Sequence, residues 1–224
     1  AGILASLMKG ACMLPHPIFD VQQVMERVPQ DKITMLPGPP AIYQTILNHP
    51  DLETFDMTTL RLAVTGAAAI PVEMIIQMRE RLGFEKIVTG YGLTEGSGLA
   101  TMCRYDDDPE IIAKTSGRAM PGMEIKIIDD NGKEIKRGQP GEITVKGYNI
   151  MVGYLDDPDQ TSETITENGW LLTGDIGVMD NDGNIAITDR KKDMYINGGF
   201  NVYPAEVESI TVSYTHLTLP TIFR

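Results

Sequence analysis

The sequence predicts an α/β fold with a parallel sheet in its first half and antiparallel strands in its second half. In residues 1–116, short β-branched runs alternate with helix-like segments at the length of βαβ units, which indicates a mostly parallel sheet covered by helices. In residues 117–188, short segments alternate polar and apolar residues and are separated by Asn-Gly and Asp-Gly turns. Short strands at this spacing predict a small antiparallel sheet or barrel.

The helices of the first half are predicted from apolar residues that recur on one helical face. Residues 3–8 are an apolar segment that we expect to form a helix in the interior. Asp20 is a plausible N-cap for a second helix, whose apolar residues follow the i, i+3, i+4, i+7 spacing. Prolines that would lie in a first helical turn favour a third helix through Leu47 and a fourth that begins at Pro71. Gly83 is predicted to end the fourth helix.

Strands are predicted where β-branched runs or polar–apolar alternation replace the helical spacing. In the first half these are residues 11–14, 32–36, 61–65 and 86–89. In the second half they are residues 124–128, 142–146, 169–172, 176–179 and 184–187. The charged run at residues 189–193 then interrupts the pattern, and we interpret it as a linker between domains.

A glycine-rich segment, residues 89–98, follows the last strand of the predicted parallel sheet and is interpreted as a loop. Its glycines permit backbone conformations closed to other residues, so a ligand can approach closely. Tyr91 offers a flat face for a ring, Thr94 a hydroxyl for an anionic oxygen, and Glu95 a carboxylate for a hard cation such as Mg²⁺. The alternative is that Tyr91 belongs to the core, Glu95 is solvated and the glycines merely turn the chain.

A second segment with small residues, Gly66-Ala67-Ala68, also follows a predicted strand of the first half. Ligands of parallel sheets bind beyond the carboxyl ends of the strands. We therefore expect this segment and residues 89–98 to line one crevice.

The composition excludes some classes of function. A formal net charge of −12 and an isoelectric point near 4.6 leave no basic surplus to neutralise phosphates, so we predict no nucleic-acid partner. The two cysteines, Cys12 and Cys103, lack metal-ligand spacing, and we expect free, buried thiols in a reducing cytoplasm. No apolar run approaches the roughly 20 residues that span a bilayer, so we predict no transmembrane segment. The sequence does not indicate an oligomeric state.

The chain carries spaced motifs at residues 89–98, at 141–147 with 151–154, at 169–175 and at 189–208. Together they resemble the core motifs of adenylate-forming acyl-CoA synthetases, in order and in spacing, over about residues 1–209. Spaced motifs are far more specific than one glycine-rich loop. The resemblance implies that a carboxylate attacks the α-phosphorus of ATP, giving an acyl-adenylate and pyrophosphate, and that the thiol of CoA then displaces AMP.

The resemblance implies how this chain would bind a nucleotide. Tyr91 would stack beside adenine, Thr94 would bond the α-phosphate and Glu95 would bind Mg²⁺. Asp175 would accept hydrogen bonds from both ribose hydroxyls, and Arg190 would contact the ribose and phosphate side. The implied catalytic residues are Thr94, Glu95 and Arg190, and the implied nucleotide site comprises Gly66, Ala67, Ala68, Gly90, Tyr91, Gly92, Thr94, Asp175 and Arg190. Local sequence alone leaves an Asx-turn residue at Asp175 and a solvated linker charge at Arg190 as alternatives.

The resemblance also implies a small α+β C-terminal domain after a hinge linker at residues 189–192. Lys192 is the hinge position, about which the small domain turns between the two half-reactions. Gly198, Gly199 and Phe200 would then approach the pantetheine arm of CoA, with a β-turn as the structural alternative. We expect only the start of that domain, residues 193–210, because residues 211–224 resemble translated adapter sequence.

The implied substrate is a small-molecule carboxylic acid, activated with ATP and Mg²⁺ and transferred to CoA. Ala67, Gly96, Ser97 and Gly98 are small and would leave room behind the adenylate for a bulky or long acyl group. Within the family, residues 35–43 and 64–68 look most like ligases of actinobacterial type that act on steroid-ring-derived propanoates. Medium- or long-chain fatty acids are the alternative.

The family's phosphate loop and its C-terminal lysine are not among these residues, so we expect an incomplete and inactive piece of a longer ligase. Two other functions stay open for the parent protein. One is an acyl-AMP ligase that loads a carrier protein, and the other is a nucleotide-binding paralogue without chemistry.

Overall fold

A computed structural model describes residues 2–66, 70–191, 195–197 and 200–202 of the chain. The helices are α1 (Gly2–Lys9), α2 (Val21–Asp31), α3 (Pro40–Leu47), α4 (Val72–Leu82), α5 (Pro109–Lys114) and α6 (Pro158–Thr164). The first sheet contains β1 (Met35–Pro37), β2 (Leu62–Gly66), β3 (Lys86–Tyr91), β4 (Thr101–Met102) and β5 (Arg118–Ala119). The second sheet contains β6 (Met123–Ile128), β7 (Pro140–Gly147), β8 (Leu171–Met179) and β9 (Ile185–Arg190), and a hairpin joins β10 (Tyr195–Asn197) to β11 (Phe200–Val202).

The first sheet combines parallel and antiparallel strands in the order β1-β2-β3-β4-β5. Strands β1, β2 and β3 are parallel, as the alternation of strands and helices predicts, whereas the short strands β4 and β5 add to the edge in antiparallel fashion. The second sheet is antiparallel in the order β6-β7-β8-β9. The α/β class and the change to antiparallel strands are confirmed.

Helices α2, α3 and α4 cover the first sheet with the apolar faces that their spacing predicts. The Asp20 side chain accepts a hydrogen bond from the Gln23 backbone N at 2.9 Å and so caps α2. Helix α4 ends at Gly83, whose φ of 77° is left-handed. At the centre of this core, the rings of Tyr43 and Phe84 meet edge to face with centroids 5.9 Å apart.

The prediction of two separate strands at residues 169–172 and 176–179 is wrong, because both segments contribute to the single strand β8. It is one strand with a bulge, because three residues, 173–175, lie between its pairings with Glu142 and Thr144 of β7. In the sequence, residues 173–175 interrupt the apolar pattern and suggest that a strand ends there, but the pairing of β8 with β7 resumes beyond them. A second register shift lies between Ile176 and Gly177, where β8 pairs with β9.

The N-terminal segment differs from the prediction in two respects. Helix α1 forms, but none of its residues is buried, so the described part of the chain does not cover its apolar stripe. Residues 11–14 are exposed and form no strand, because no described strand pairs with them. Cys12 is also exposed rather than buried, while Cys103 is buried, and both thiols are free.

The end of the second sheet overlaps the predicted linker. Strand β9 continues through Arg190, so the first two residues of the segment 189–192 belong to the sheet. The hinge position Lys192 and residues 203–224 lie outside the described residues. Among the helices of the described ranges, none is long and apolar enough to cross a bilayer.

Candidate functional site

A cavity of about 970 Å³ opens beyond the carboxyl ends of β2 and β3. Its walls come from these strands, the turn that follows β3, helix α5, the middle of β8 at Asp175 and the end of β9. Among the predicted site residues it brings together Gly66, Gly90, Tyr91, Gly92, Thr94, Glu95, Gly98, Asp175 and Arg190. The expectation that two segments following neighbouring strands line one crevice therefore holds for Gly66 and residues 90–95.

The glycines allow the backbone to pack closely at this edge of the sheet. Gly66 and Gly90 are register partners, and a Cβ on Gly66 would lie 2.7 Å from the Gly90 carbonyl oxygen. A Cβ on Gly92 would lie 2.3 Å from the Gly98 carbonyl oxygen, a contact that atoms do not tolerate. Strand β3 includes Gly90 and Tyr91, so the predicted loop at residues 89–98 begins only at Gly92, because β4 pairs with the end of the strand.

Tyr91, Asp175 and Arg190 form one connected group between the two sheets. The Tyr91 hydroxyl donates to Asp175 Oδ2 at 2.6 Å, and Arg190 Nε lies 3.1 Å from Asp175 Oδ1. Tyr91 and Asp175 are only 8% and 7% exposed, whereas the Arg190 side chain is 74% exposed. Burial, followed by the Asp175 carboxylate, raises the pKa of Tyr91 above its usual range, so the phenol remains a proton donor.

The bulge in β8 places Asp175 in this group. The Thr173 hydroxyl donates to the Ile143 carbonyl oxygen at 2.7 Å and accepts from the Asp175 backbone N at 3.1 Å. Gly174 has a left-handed φ of 72°, which turns the chain between these residues. On the other side of β8, Asp175 is the register partner of Arg190. The geometry therefore differs from the simple Asx turn that local sequence allows.

Glu95 lies in a short turn that the second half of the chain supports. The Tyr154 hydroxyl donates to Glu95 Oε1 at 2.9 Å, and the Met151 backbone N donates to the Glu95 carbonyl oxygen at 2.8 Å. The Asn149 side-chain amide donates to two carbonyl oxygens of the turn, at 2.7 and 2.9 Å. The Ser97 hydroxyl donates a hydrogen bond to the Asn149 carbonyl oxygen at 2.7 Å. Burial, and then Glu95, raises the pKa of Tyr154, which keeps this hydroxyl protonated.

Several residues of the site were not predicted. Tyr154 and Glu142 lie inside motifs that carry the family resemblance, but no role was predicted for either of them. Asn149 lies next to those motifs, and only its contacts with the turn reveal its importance. The Thr65 hydroxyl is buried in the cavity wall and has no hydrogen-bond partner within the described part of the chain.

The donors and acceptors around the cavity suit a nucleotide phosphate with a cation. Thr94 is exposed and offers a hydroxyl, Glu95 offers a carboxylate, and the Thr65 hydroxyl has no partner among the described residues. Within residues 2–66 and 70–191, no three His, Cys, Asp or Glu side chains group closely enough to hold a metal ion. Mg²⁺ is commonly bound by one or two carboxylates together with substrate phosphates, so a single carboxylate fits that pattern.

Other predicted site residues are placed differently or are not described. Gly96 is buried and Ser97 is exposed, and neither is part of the cavity wall, while Gly98 is. Ala67, Ala68, Lys192, Gly198 and Gly199 lie outside the described residues. Phe200 begins β11, of which the backbone alone is described.

Solved structures similar to this chain include nucleotide complexes. O-succinylbenzoate coenzyme A synthetase from Bacillus subtilis, in complex with ATP and magnesium ion, superimposes with a TM-score of 0.83 and 29% identity, over 97% of this chain and 44% of that one. ATP-bound MatB from Rhodopseudomonas palustris also gives a TM-score of 0.83, with 33% identity over 93% of this chain and 40% of that one.

Curated relatives match almost the whole chain. A protein of Rhodococcus jostii is 52% identical over 93% of this chain, and its name, without the stereodescriptors, is 3-(7a-methyl-1,5-dioxo-octahydro-1H-inden-4-yl)propanoyl:CoA ligase. A protein of the same name from Mycobacterium tuberculosis is 50% identical over 94% of it. The chain spans only 38% and 39% of the lengths of these two relatives. Residues 1–155 match the family described as AMP-binding enzyme, and the chain belongs to that family.

Proposed function

We propose that the full-length protein is an ATP-dependent carboxylate–CoA ligase that forms an acyl-adenylate and then an acyl-CoA thioester. Because the chain spans about two-fifths of its relatives, the proposal concerns the whole protein. The observation that carries it is the connected group of Tyr91, Asp175 and Arg190, which shares one cavity with Thr94 and Glu95. An aromatic face, a carboxylate, a hydroxyl and a cation are the groups that an adenosine phosphate requires.

The adenosine would bind against Tyr91 and Asp175. The Tyr91 ring would lie beside adenine, and the Asp175 carboxylate, with two oxygens and several lone pairs, would accept from the ribose hydroxyls. Gly66, Ala67 and Ala68 would line the adenine and acyl side. We assign Gly90 and Gly92 to the same site because both line the cavity. A Cβ on Gly90 would lie 3.0 Å from the Thr101 carbonyl oxygen, and one on Gly92 would lie 2.3 Å from that of Gly98, so glycine permits the close backbone packing that shapes the cavity wall.

The phosphates would bind at the turn after β3. Thr94 would donate its hydroxyl to the α-phosphate, and Glu95 would supply one oxygen ligand to Mg²⁺, with phosphate oxygens supplying others. The ion would neutralise charge that develops on the phosphoryl oxygens. Arg190 would place a second positive charge on the ribose and phosphate side, and its exposed side chain leaves it accessible from the cavity mouth.

The thioester half-reaction would use the end of the chain. We propose a division into residues 1–116, residues 117–188, a linker at 189–192 and the start of a further domain at 193–210. Lys192 would be the hinge, and Gly198, Gly199 and Phe200 would approach the pantetheine arm once the small domain turns. Residues 211–224 would lie outside that domain.

We propose that the carboxylate carries a fused ring system on a propanoate side chain. The support is the 50–52% identity to two relatives named as propanoyl:CoA ligases of an octahydroindene. Ala67, Gly96, Ser97 and Gly98 would leave room for such a group by being small. One methylene more or less on a substrate in an apolar pocket changes the selectivity by only about 1–3 kcal/mol. Fatty acids are therefore the appropriate competing substrates.

The test is CoA-dependent release of AMP by the full-length protein with a panel of carboxylates. The panel contains an octahydroindenedione propanoate, octanoate and palmitate, and we expect the highest kcat/KM for the first. Asp175→Asn should lower kcat/KM about tenfold or more, because a hydrogen bond to a charged group is lost. Glu134→Gln removes an exposed carboxylate that is not part of the cavity wall and is the matched control, with unchanged kcat/KM.

Two outcomes would replace the proposal with another function. Release of AMP that depends on a holo-carrier protein and not on CoA would identify an acyl-AMP ligase. Tight AMP binding with no pyrophosphate exchange for any carboxylate would identify a nucleotide-binding paralogue without chemistry.

A further inference from the structure

A buried carboxylate outside the proposed nucleotide contacts connects the neighbours of Asp175 and Arg190. Glu142 lies on β7 and is 7% exposed. Its Oε1 atom accepts from the Gly174 backbone N at 3.1 Å, and its Oε2 atom accepts from Lys191 Nζ at 2.8 Å. Gly174 directly precedes Asp175, and Lys191 directly follows Arg190. One carboxylate therefore holds the chain on both sides of the Asp175–Arg190 pair.

Further contacts close this arrangement into a ring. The Lys191 backbone N donates to the Gly174 carbonyl oxygen at 2.7 Å, beside the ladder pairing of Asp175 with Arg190. Lys191 Nζ also lies 3.5 Å from Asp130, an exposed carboxylate. The Glu142 carboxylate holds the shorter contact, and it raises the pKa of Lys191, so the amine stays charged.

The bulge in β8 explains why a side chain is needed here. Residues 173–175 lie outside the regular pairing of β8 with β7, so the Gly174 N–H has no ladder partner on β7. Glu142 supplies that partner with its side chain. Leaving a buried carboxylate without partners would be costly, and both of its oxygens are satisfied.

We propose that Glu142 is a positioning residue for recognition of the ribose. By holding Gly174 and Lys191, it fixes the direction in which Asp175 and Arg190 face the ribose hydroxyls. The inference rests on the proposed role of Asp175. Arg190 has the greater need of this support, because its own side chain is 74% exposed and little packing fixes it.

The test compares dissociation constants of the full-length protein for AMP and for 2′-deoxy-AMP. The ratio of the second to the first measures ribose recognition, and we expect about tenfold or more in the wild type. Glu142→Gln should reduce this ratio about threefold or more. Glu134→Gln removes the carboxylate partner of Lys126 on the same sheet and should keep the wild-type ratio.

A double substitution separates positioning from general stability. Asp175→Asn should lower the ratio, and adding Glu142→Gln should lower it no further, because the two residues act as a unit. A merely structural Glu142 would weaken binding of both nucleotides equally and leave the ratio at its wild-type value, which would overturn the inference. If Glu142→Gln does not fold, Lys191→Met tests the other end of the contact and should also lower the ratio, and an unchanged ratio there overturns the inference.

The same measurements separate this inference from the proposed function. A wild-type ratio near one, or a ratio that Asp175→Asn does not change, would overturn the proposed ribose contact itself. A normal ratio that falls with Asp175→Asn but not with Glu142→Gln or Lys191→Met would overturn only the positioning role.

Discussion

Replacing Tyr91 with Phe removes a single hydroxyl from the contact between the two sheets. That hydroxyl donates to Asp175 at 2.6 Å, and both residues are less than 9% exposed. A hydrogen bond to a charged group contributes about 1.5–3 kcal/mol, and losing it costs less where the acceptor keeps a second partner. Asp175 keeps its contact with Arg190 at 3.1 Å, and the Phe ring keeps its packing. We therefore expect Tyr91→Phe to lower the free energy of unfolding by about 1–2 kcal/mol.

Urea unfolding measures this loss, with an unchanged m-value, and thermal unfolding should show a Tm lower by roughly 2–8 °C. Tyr148→Phe is the matched control, because Tyr148 is 80% exposed and should change the free energy of unfolding by less than about 0.5 kcal/mol. A loss for Tyr91→Phe no larger than that of the control would refute the reasoning, since the hydroxyl would then contribute nothing to stability.

Three further predictions concern metal, backbone and pH. Tyr154→Phe removes the donor 2.9 Å from Glu95, so we expect half-maximal adenylation to need about threefold more Mg²⁺ with AMP affinity unchanged, and an unaltered Mg²⁺ titration would contradict this. Gly92→Ala brings a Cβ within 2.3 Å of the Gly98 carbonyl oxygen, so calorimetry should find AMP affinity reduced about tenfold or more, whereas retained affinity would disprove the close packing. Burial raises the pKa of Tyr43 above its ordinary value, so the unfolded chain loses this proton first as the pH rises. The contribution of Tyr43 to the free energy of unfolding should therefore be fully present below about pH 10 and decrease above it. Urea titrations should show a shallower fall for Tyr43→Phe, and equal slopes would contradict the prediction.

Local sequence was sufficient for the elements whose ends and faces are determined within a few residues. Helix α2 begins at the Asp20 cap and buries Val24, Met25 and Val28, and α4 ends at Gly83, as their spacing predicts. Where burial depends on a distant partner, the same patterns failed. The apolar stripe of α1 is exposed, and residues 11–14 form no strand, because the described chain supplies neither of them with a partner.

The candidate site was predictable where its residues lie in one motif. Tyr91, Thr94 and Glu95 lie within five residues of one another, and the type of each side chain indicates which part of a ligand it can bind. Contacts across the sheets were not predictable, because Tyr154 reaches Glu95 over 59 residues of sequence. Glu142 follows the polar–apolar alternation of a strand and so resembles a solvent-facing residue, although the bulge in the neighbouring strand turns it into a buried hydrogen-bond acceptor.

The hydrogen bond between Tyr91 and Asp175 spans 84 residues and joins the two sheets. An apolar cluster accompanies it, in which Tyr91 of the first sheet packs with Ile143 and Val145 of the second. The consequence is that the proposed nucleotide site exists only where the two sheets are docked, and neither sheet carries the site alone. A ligand that binds there stabilises the docked state by about 2.7 kcal/mol at one hundred times its Kd. At saturating AMP, the two sheets should therefore unfold together in a single cooperative transition.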